Sequence, residues 1–283
     1  MDDLNSIAFI GAGVMAEAMI GGLLNKKLIA SDRITATGPR EQRRVELETR
    51  YRIHTTADNR AAAGASAIIV ICLKPQMLAR VLREMHNALR ADQFVISIAA
   101  GGRIATIADG LGHSAIVRAM PNTPAQIGEG LTVWTATPSV TEAQRAQTRL
   151  IFQALGKEIF VDDEKYLDMA TAVSGTGPTY VFLVLEALID AAVHLGFPRH
   201  LAHDIVIEAM RGSILYAQQS NKHPAELRNM VTSPGGTSAE AIYQMEKGAL
   251  RTVLSKAVWA AYQKSRLLGE SVGKAEPRKP VDA

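Results

Sequence analysis

The sequence predicts an α/β protein, with an N-terminal doubly wound, Rossmann-type domain followed by an all-α C-terminal domain. Three observations support this fold class. Short apolar runs alternate with helical patterns in the first half, a glycine-rich turn follows the first run, and the strand signals end after residues 158–161. Continuous Ile/Val/Ala runs separated by helices are typical of a parallel sheet that is buried on both faces. Right-handed crossovers then place helices on both sides of that sheet.

The individual elements follow from apolar periodicity. Predicted strands are residues 7–10, 34–37, 67–73, 94–99 and 158–161, and predicted helices between them are 14–24, 41–50 and 77–89. Later helical patterns cover residues 165–172, 180–195, 201–218, 225–231, 238–246 and 249–268. We therefore expect a dinucleotide-binding domain at residues 1–162, a helical substrate and dimerisation domain at 163–270, and a flexible tail at 271–283, where prolines lie among charges.

Composition limits the class of protein. The chain has 283 residues, of which 47% are hydrophobic, so it is long enough for two cores. The net charge of +3 is spread along the chain, which gives little reason to expect a nucleic-acid partner. A single cysteine, Cys72, excludes an internal disulfide framework, and its apolar surroundings predict a buried strand thiol. The acidic start is unlike a signal peptide, and the most apolar stretch, residues 180–195, contains two acids, so we expect a cytoplasmic protein without a membrane partner.

The first glycine-rich turn, Gly11 to Ala16, follows the first predicted strand and opens the first predicted helix. In a dinucleotide site the first glycine, Gly11, allows the tight turn, and the second, Gly13, lets the backbone approach a pyrophosphate. A small third residue, here Ala16, permits close packing of helix on strand. The amides of Val14 and Met15 would face the phosphates at the helix start. The alternative is a turn with a purely structural role.

The end of the second strand bears on the choice of cofactor. NAD sites usually carry an acid there, whereas an arginine nearby accommodates the 2′-phosphate of NADP. Here the strand ends at Thr37 with no acid at its tip, and Arg40 lies just beyond, followed by Arg43 and Arg44. This favours NADPH, with NADH possible. The alternative is that these arginines form a solvent-exposed helix face.

Other residues are expected at the carboxyl edge of the sheet, where open α/β sheets bind ligands. Lys74 and Pro75 follow the third apolar run, and Pro75 is suited to the first turn of a helix. Lys74 could contact cofactor ribose or phosphates, or be an ordinary surface lysine. Ala99 and Ala100 follow the next strand, and Asn122 lies in a loop fixed by two prolines, one of which could have a cis bond.

A second glycine-rich turn, Thr232 to Ser238, leads into a predicted helix. Converging backbone N–H groups at a helix start suit a small anion such as a carboxylate. The candidate substrate residues of this turn are Ser233, Gly235, Gly236, Thr237 and Ser238. Thr176 lies in another turn, Ser174 to Pro178, which could begin the helix at 180–195 or help to enclose a ligand.

The remaining acidic residues and histidines give weaker evidence for a functional site. Glu186 and Asp190 lie one helical turn apart, where they could act as an acid–base pair or as caps and interface contacts. His200 and His203 have no third candidate ligand, so we expect no metal site. The apolar surface of the helix at 180–195 predicts contact with another subunit.

Over residues 7–268 the chain resembles the pyrroline-5-carboxylate reductases. The matching segments are residues 11–16, 73–75, 97–101, 118–124, 174–178 and, most specifically, 224–246. The resemblance implies reduction of 1-pyrroline-5-carboxylate to L-proline, the last step of proline synthesis, by hydride from NADPH or NADH. One residue departs from the family pattern: Ser238 stands where a threonine is usual.

The resemblance also implies roles for the second turn. The N–H groups of residues 233–238 would hold the substrate carboxylate, and the catalytic Ser238 hydroxyl would contact the ring nitrogen. It further implies an interwoven homodimer in which partner helices complete each site, and dimers that can assemble into larger rings. A reductase for another imine or 2-keto acid, and a non-catalytic NADP-binding protein, remain as alternatives.

Overall fold

The computed structural model describes residues 4–273, which form two compact units. Residues 4–176 and 261–273 belong to one unit, and Gly177–Ala260 forms the other. The helical stretch 163–176 and the end of the last helix thus have most of their contacts with the first unit. This division by contacts differs from the expected domain boundary at 162/163, which follows the change from strands to helices and stays a prediction.

The first unit contains an eight-stranded sheet in the order β3-β2-β1-β4-β5-β6-β7-β8. Its strands are β1 Ile7–Ile10, β2 Ile34–Thr37, β3 His54–Thr56, β4 Ile68–Ile71, β5 Phe94–Ser97, β6 Ile116–Met120, β7 Gly130–Ala136 and β8 Gly156–Phe160. β1 to β6 are parallel, whereas β7 runs antiparallel to β6 and β8 is parallel to β7. The parallel arrangement expected for the continuous apolar runs is therefore confirmed for β1, β2, β4 and β5, whereas β3, β6 and β7 were not predicted as strands.

Helices cover both faces of this sheet. They are α1 Val14–Asn25, α2 Glu41–Tyr51, α3 Asn59–Ala65, α4 Pro75–Glu84, α5 Ile104–Leu111, α6 Glu142–Gln153 and α7 Lys165–Ala170. Successive residues of β1 point into opposite cores. Phe9 lies in one core with Met19 of α1, and Ile10 lies in the other with Leu78 of α4. Because side chains alternate along a strand, these two cores identify a doubly wound sheet and confirm the expected fold class.

The second unit is helical, as expected. It contains α8 Gly177–His194, α9 Arg199–Ser220, α10 Pro224–Met230, α11 Thr237–Lys247 and the first part of α12 Leu250–Gly273. α8 has no buried residue, although it carries large apolar side chains such as Phe182 and Leu183, which are 61% and 65% exposed. An apolar helix surface this large on a folded unit indicates an interaction site.

Three local expectations are corrected by the structure. α8 begins at Gly177 and not at residue 180, so Pro178 lies in its first turn as expected, and the segment before it is the π-helical turn Thr171–Gly175. The described residues contain no cis peptide bond, so both prolines beside Asn122 have trans bonds. α12 continues to Gly273, so residues 271–273 are helical, and the rest of the expected tail lies outside the described residues.

One helical stretch of the described residues, 165–194, is long and apolar enough to span a bilayer by length and composition alone. This single stretch is weak evidence for a membrane protein, because apolar helices of soluble proteins pass the same test.

Candidate active site

The turn between β1 and α1 has a conformation that requires glycine. Gly11 has a φ of +109°, and a Cβ there would lie 2.6 Å from the carbonyl oxygen of Cys72. The Gly11 N–H donates to the Thr37 hydroxyl at 3.2 Å, which ties the turn to the end of β2. The turn therefore passes tightly against β4, as the sequence pattern predicts.

The start of α1 presents unpaired backbone donors. Gly13 is the N-cap in an extended conformation and makes no side-chain cap, and a Cβ added to it would meet no atom within 4 Å. The N–H groups of Val14, Met15 and Ala16 find no acceptor among the described residues. Ala16 is fully buried against the sheet, which brings the helix start close to the strand. Open N–H groups and the helix dipole together favour an anionic ligand here.

The end of β2 is arranged differently from the sequence interpretation. Thr37 is fully buried, and its hydroxyl donates to Asn59 Oδ1 at 2.6 Å while accepting from Gly11. Arg43 and Arg44 are held by the protein, since Arg43 Nε donates to the Ala12 carbonyl at 3.0 Å and Arg44 to the Gly38 carbonyl at 2.8 Å. The Arg40 side chain is exposed and forms no hydrogen bond or ion pair with another described residue.

Glu17 of α1 explains why Arg43 is engaged. Its carboxylate accepts from Arg43, from Arg50 at 2.8 Å and from the Tyr51 hydroxyl at 3.1 Å. Burial raises the pKa of the Glu17 carboxyl, but the hydrogen bonds and charges of these neighbours outweigh burial, so its pKa lies below the ordinary value. This cluster links α1 to α2 beside the glycine turn.

Three further segments end at the same carboxyl edge of the sheet. Lys74 is the exposed N-cap of α4, and Pro75 occupies the first helical position as expected for this proline, so the helix covers Pro75–Glu84 and not the predicted 77–89. Ala99 is buried and Ala100 half-buried in the loop that follows β5, where Gly101 has a φ of +72°. In the strand order, β4 and then β5 follow β1 on the side opposite β2, so both segments lie on that side of β1.

Asn122 holds the loop after β6 in place. Its side-chain oxygen accepts from the Leu131 N–H at 2.9 Å, and its side-chain nitrogen donates to the Ser174 carbonyl at 3.3 Å. The Thr176 hydroxyl donates to the Thr171 carbonyl at 2.9 Å, which helps to close the π-helical turn. The side chains of Asn122 and Thr176 therefore both form hydrogen bonds with backbone groups of the first unit. Their predicted contacts with ligands stay predictions.

The second turn, in the helical unit, also has open donors. Gly235 has a φ of +71°, and the Gly236 N–H donates to the Ser233 carbonyl at 3.0 Å, closing a four-residue turn. A side chain at Gly236 would place its Cβ 2.6 Å from the Ser233 hydroxyl oxygen. The N–H groups of Thr237 and Ser238, the first two residues of α11, have no acceptor in the described part of the chain. The turn thus has the features of an anion site, as predicted.

Ser238 is half-buried at the second position of α11. Its hydroxyl makes no hydrogen bond with another described residue, and neither do the hydroxyls of Ser233 and Thr237. Three hydroxyls and two N–H groups at one helix start are therefore free to contact a ligand.

Other candidates from the sequence have ordinary partners. Asp190 forms an ion pair with Arg199 at 2.9 Å, and the His203 ring lies 3.2 Å from Asp204. In residues 4–273 no group of three or more His, Cys, Asp or Glu side chains is placed to hold a metal ion. Cys72 lies directly after β4 and is half-buried, so the predicted position within a buried strand is wrong, although burial raises the pKa of its thiol well above its usual range.

Sequence reasoning missed Asn59. This residue begins α3 and accepts from Thr37, while its amide nitrogen donates to both oxygens of Glu84 at 3.2 Å. The sequence feature that could have indicated this helix start is Asp58, which caps α3 by accepting a hydrogen bond from the Ala61 N–H. β3, which precedes it, has only three residues, so the helix start lacked a recognisable strand before it.

Comparison with known proteins identifies the family. A pyrroline-5-carboxylate reductase of Synechocystis is 38% identical over 264 residues, covering 93% of this chain and 98% of that protein. The chain belongs to the pyrroline-5-carboxylate reductase family. The enzyme of that name from Pisum sativum is 35% identical over 268 residues, covering 95% of this chain and 97% of the pea protein. The family resemblance of the sequence is thereby confirmed.

Family models match both halves of this pyrroline-5-carboxylate reductase family member. Residues 164–268 match a model described as pyrroline-5-carboxylate reductase dimerisation, and residues 6–101 match one described as NADP oxidoreductase, coenzyme F420-dependent. The crystal structure of a pyrroline carboxylate reductase of Plasmodium falciparum with NADP bound superposes with a TM-score of 0.87. It is 30% identical and covers 95% of this chain and 100% of its own. The apolar helix stretch 165–194 lies wholly within the dimerisation match.

Proposed function

We propose that this protein reduces 1-pyrroline-5-carboxylate to L-proline, the final step of proline biosynthesis, with NADPH as preferred reductant and NADH as a possible alternative. The observation that carries the proposal is the presence of two glycine-containing helix starts with open N–H groups, one at Gly13 and one at Gly236, in a chain that matches this family along nearly its whole length. One such turn can bind a cofactor phosphate and the other a substrate carboxylate, which is the combination that an oxidoreductase for a small acid can use.

The residues of the first unit fit a dinucleotide. The open position at Gly13 is a cradle that a Cβ would fill, and the N–H groups of Val14 and Met15 have no acceptor within the described residues. Of the three arginines after β2, only Arg40 has a side chain without a partner in the described residues, so we assign it to the 2′-phosphate. Lys74 and the Ala99 and Ala100 backbone would line the other half of the cofactor. When bound, the nicotinamide supplies a hydride.

The second turn fits the substrate. The N–H groups of Thr237 and Ser238 would bind the carboxylate, and the Ser238 hydroxyl would contact the ring nitrogen. Reduction adds a hydride to the C=N carbon and leaves a proton on nitrogen, so substrate that binds as the protonated iminium needs no general acid from the protein. The contribution of these residues is then mainly orientation, which can supply on the order of 7–11 kcal/mol.

The helical unit supports association of two copies. We propose the interwoven homodimer of the family, because α8 has no buried residue and lies in the segment that matches the dimerisation model. Light scattering should give twice the monomer mass, and a stable, active monomer at micromolar concentration would refute the dimer. A larger ring of dimers and a cytoplasmic location stay predictions.

The decisive assay is oxidation of NADPH and of NADH by the purified full-length protein, each with 1-pyrroline-5-carboxylate and with its six-membered ring homologue. We expect oxidation that depends on 1-pyrroline-5-carboxylate, forms proline and is faster with NADPH. Preference for the ring homologue would assign a different imine, and binding of NADPH without turnover of either imine would assign a non-catalytic role.

Ser238 is the residue to substitute first. We expect Ser238→Ala to lower kcat/KM by about ten- to a thousandfold, because the hydroxyl that would contact the reacting nitrogen is lost. Ser238→Thr keeps the hydroxyl and should retain activity. Ser213→Ala is the matched control, since the Ser213 hydroxyl is exposed and donates only to the Ala209 carbonyl of its own helix. Unchanged kinetics in Ser238→Ala would remove this residue from the site.

A further inference from the structure

The end of α12 packs directly on the loop that follows β5. Gly269 is buried, and a Cβ on it would lie 2.9 Å from the Gly101 carbonyl oxygen. A Cβ on Gly101 would in turn lie 2.7 Å from the Gly269 nitrogen. Two backbones approach this closely only where neither residue has a side chain. The middle of the loop is therefore in direct backbone contact with a helix that lies far away in sequence.

A buried network holds the same part of α12. Ser265 is 2% exposed, and its hydroxyl donates to Asp168 of α7 at 2.9 Å. Asp168 also accepts from Arg118 of β6 at 2.9 Å, and Arg118 donates to Glu164 at 2.8 Å. Arg118 is only 3% exposed, so both carboxylates neutralise a charge within the protein. The hydroxyl of α12 is thus one member of a hydrogen-bonded ion cluster.

This network also reaches the far end of the loop. The Glu164 oxygen that accepts from Arg118 accepts at 2.7 Å from the Ile104 N–H, which is the first of α5. The segment between β5 and α5 is therefore held at Gly101 by α12 and at Ile104 by Glu164. A buried ion cluster is a poor source of stability compared with apolar packing, but it fixes one arrangement of the groups that it joins.

We propose that Ser265 and Gly269 of α12 are positioning residues that hold the Ala99–Gly102 loop against the nicotinamide half of the bound cofactor. This rests on the proposed function. In an open α/β sheet the dinucleotide crosses the carboxyl edge, with its adenosine ribose at the end of β2. β4 and β5 lie on the other side of β1, so the loop after β5 faces the nicotinamide half. Neither Ser265 nor Gly269 contacts the cofactor in this proposal.

The test uses a probe that lacks the nicotinamide. We would measure the Kd of the full-length protein for NADPH and for 2′-phospho-ADP-ribose, which lacks only the nicotinamide ring and keeps the adenosine, the 2′-phosphate, the pyrophosphate and the second ribose. In Gly269→Ala the new methyl meets the Gly101 carbonyl, and we expect the Kd for NADPH to rise about ten- to a hundredfold because the loop must move. The Kd for 2′-phospho-ADP-ribose should stay within about twofold of wild type, since in this proposal the loop packs on the nicotinamide ring, which this probe lacks.

Matched controls keep the test specific. Gly64→Ala makes the same change in helix α3 of the same unit, at an exposed position with no atom within 4 Å of the new Cβ, and should alter neither Kd. Ser265→Ala removes one hydrogen bond and adds no bulk, so it should fold even if Gly269→Ala does not. We expect it to raise the Kd for NADPH about three- to tenfold, again without affecting 2′-phospho-ADP-ribose.

The outcomes separate this inference from the proposed function. If wild-type protein binds NADPH and both α12 variants bind both ligands with wild-type affinity, the positioning role is overturned while the proposed function stands. Equal weakening of NADPH and 2′-phospho-ADP-ribose also overturns it, because it indicates a general loss of structure. Wild-type protein that fails to bind NADPH at all overturns the proposed function and this inference with it.

Discussion

The two glycines at the start of α1 have different physical roles, and alanine substitutions should separate them. Gly11 has a φ of +109°, and a Cβ there would lie 2.6 Å from the Cys72 carbonyl and 3.1 Å from Leu73. Gly13 has a φ of −80° in an extended conformation, with nothing within 4 Å of a new Cβ. The fold therefore requires the first glycine but not the second, and we expect the second to serve ligand binding at the helix start.

The magnitudes follow from these contacts. In Gly11→Ala the strained backbone costs about 1–3 kcal/mol, and the clash with a backbone carbonyl adds about 1–3 kcal/mol. Gly13→Ala replaces an N-cap glycine, which weakens the cap slightly, but alanine also restricts the unfolded chain. We expect its free energy of unfolding to lie within about 1 kcal/mol of wild type. Its affinity for NADPH should fall about ten- to a thousandfold, or about 1.4–4 kcal/mol, because the methyl occupies space needed by the pyrophosphate.

Urea denaturation and NADPH titration of both variants test the distinction. We expect a lower urea midpoint only for Gly11→Ala, and normal stability with weak NADPH binding for Gly13→Ala. The reasoning would be refuted if Gly13→Ala destabilised the protein as much as Gly11→Ala. Wild-type NADPH affinity in Gly13→Ala would equally contradict the assignment of this helix start to the cofactor.

Two further predictions concern charged residues near the same turn. The pKa of Glu17 is lower in the folded protein than its ordinary value of 4.5, so its ionised form stabilises the fold above that pH and the gain is lost as the pH falls. Glu17→Gln should lower the free energy of unfolding at pH 7 by an amount on the order of 1 kcal/mol and change it little at about pH 3. Equal losses at the two pH values, measured by urea denaturation, would rule out the charge as the cause. Arg40→Ala should raise the KM for NADPH about tenfold and leave the KM for NADH unchanged, because only the 2′-phosphate loses a contact. Arg33→Ala, in the exposed segment before β2, is the control, and a parallel change with NADH would exclude Arg40 from phosphate recognition.

The sequence was a good guide to the core of the first unit. β1 and β2 have the predicted bounds, and α1 begins at the predicted Val14. These elements are recognisable because a continuous apolar run, a glycine turn and a helical pattern follow one another within about ten residues. By contrast, β3 has three residues and β7 runs antiparallel to β6, and neither fact is encoded in a local pattern. Strand direction at the end of a sheet depends on the path of the whole chain.

Residues joined over long sequence distances escaped prediction for the same reason. Ser265 and Asp168 are 97 residues apart, and nothing in either local sequence indicates that they meet. The π-helical turn at Thr171–Gly175 was hidden by its composition, since Gly175 and the following Gly177 and Pro178 are typical of a break in a helix. A Cβ on Gly175 would lie 2.7 Å from the Met120 methyl group, so this glycine serves packing on the end of β6.

The distribution of hydrogen bonds divides the candidate residues into two groups. Thr37, at the end of β2, and Thr176, in the segment before α8, were predicted to contact ligands, yet both hydroxyls donate to groups of the first unit. A hydroxyl has one proton to donate, so each of these residues can only accept from a ligand while its internal bond persists. Ser238 and Arg40 retain all their side-chain donors, because neither side chain bonds to another described residue. We therefore expect Ser238 and Arg40 to contact ligands directly. Thr37 and Thr176 instead hold the backbone on which that recognition depends.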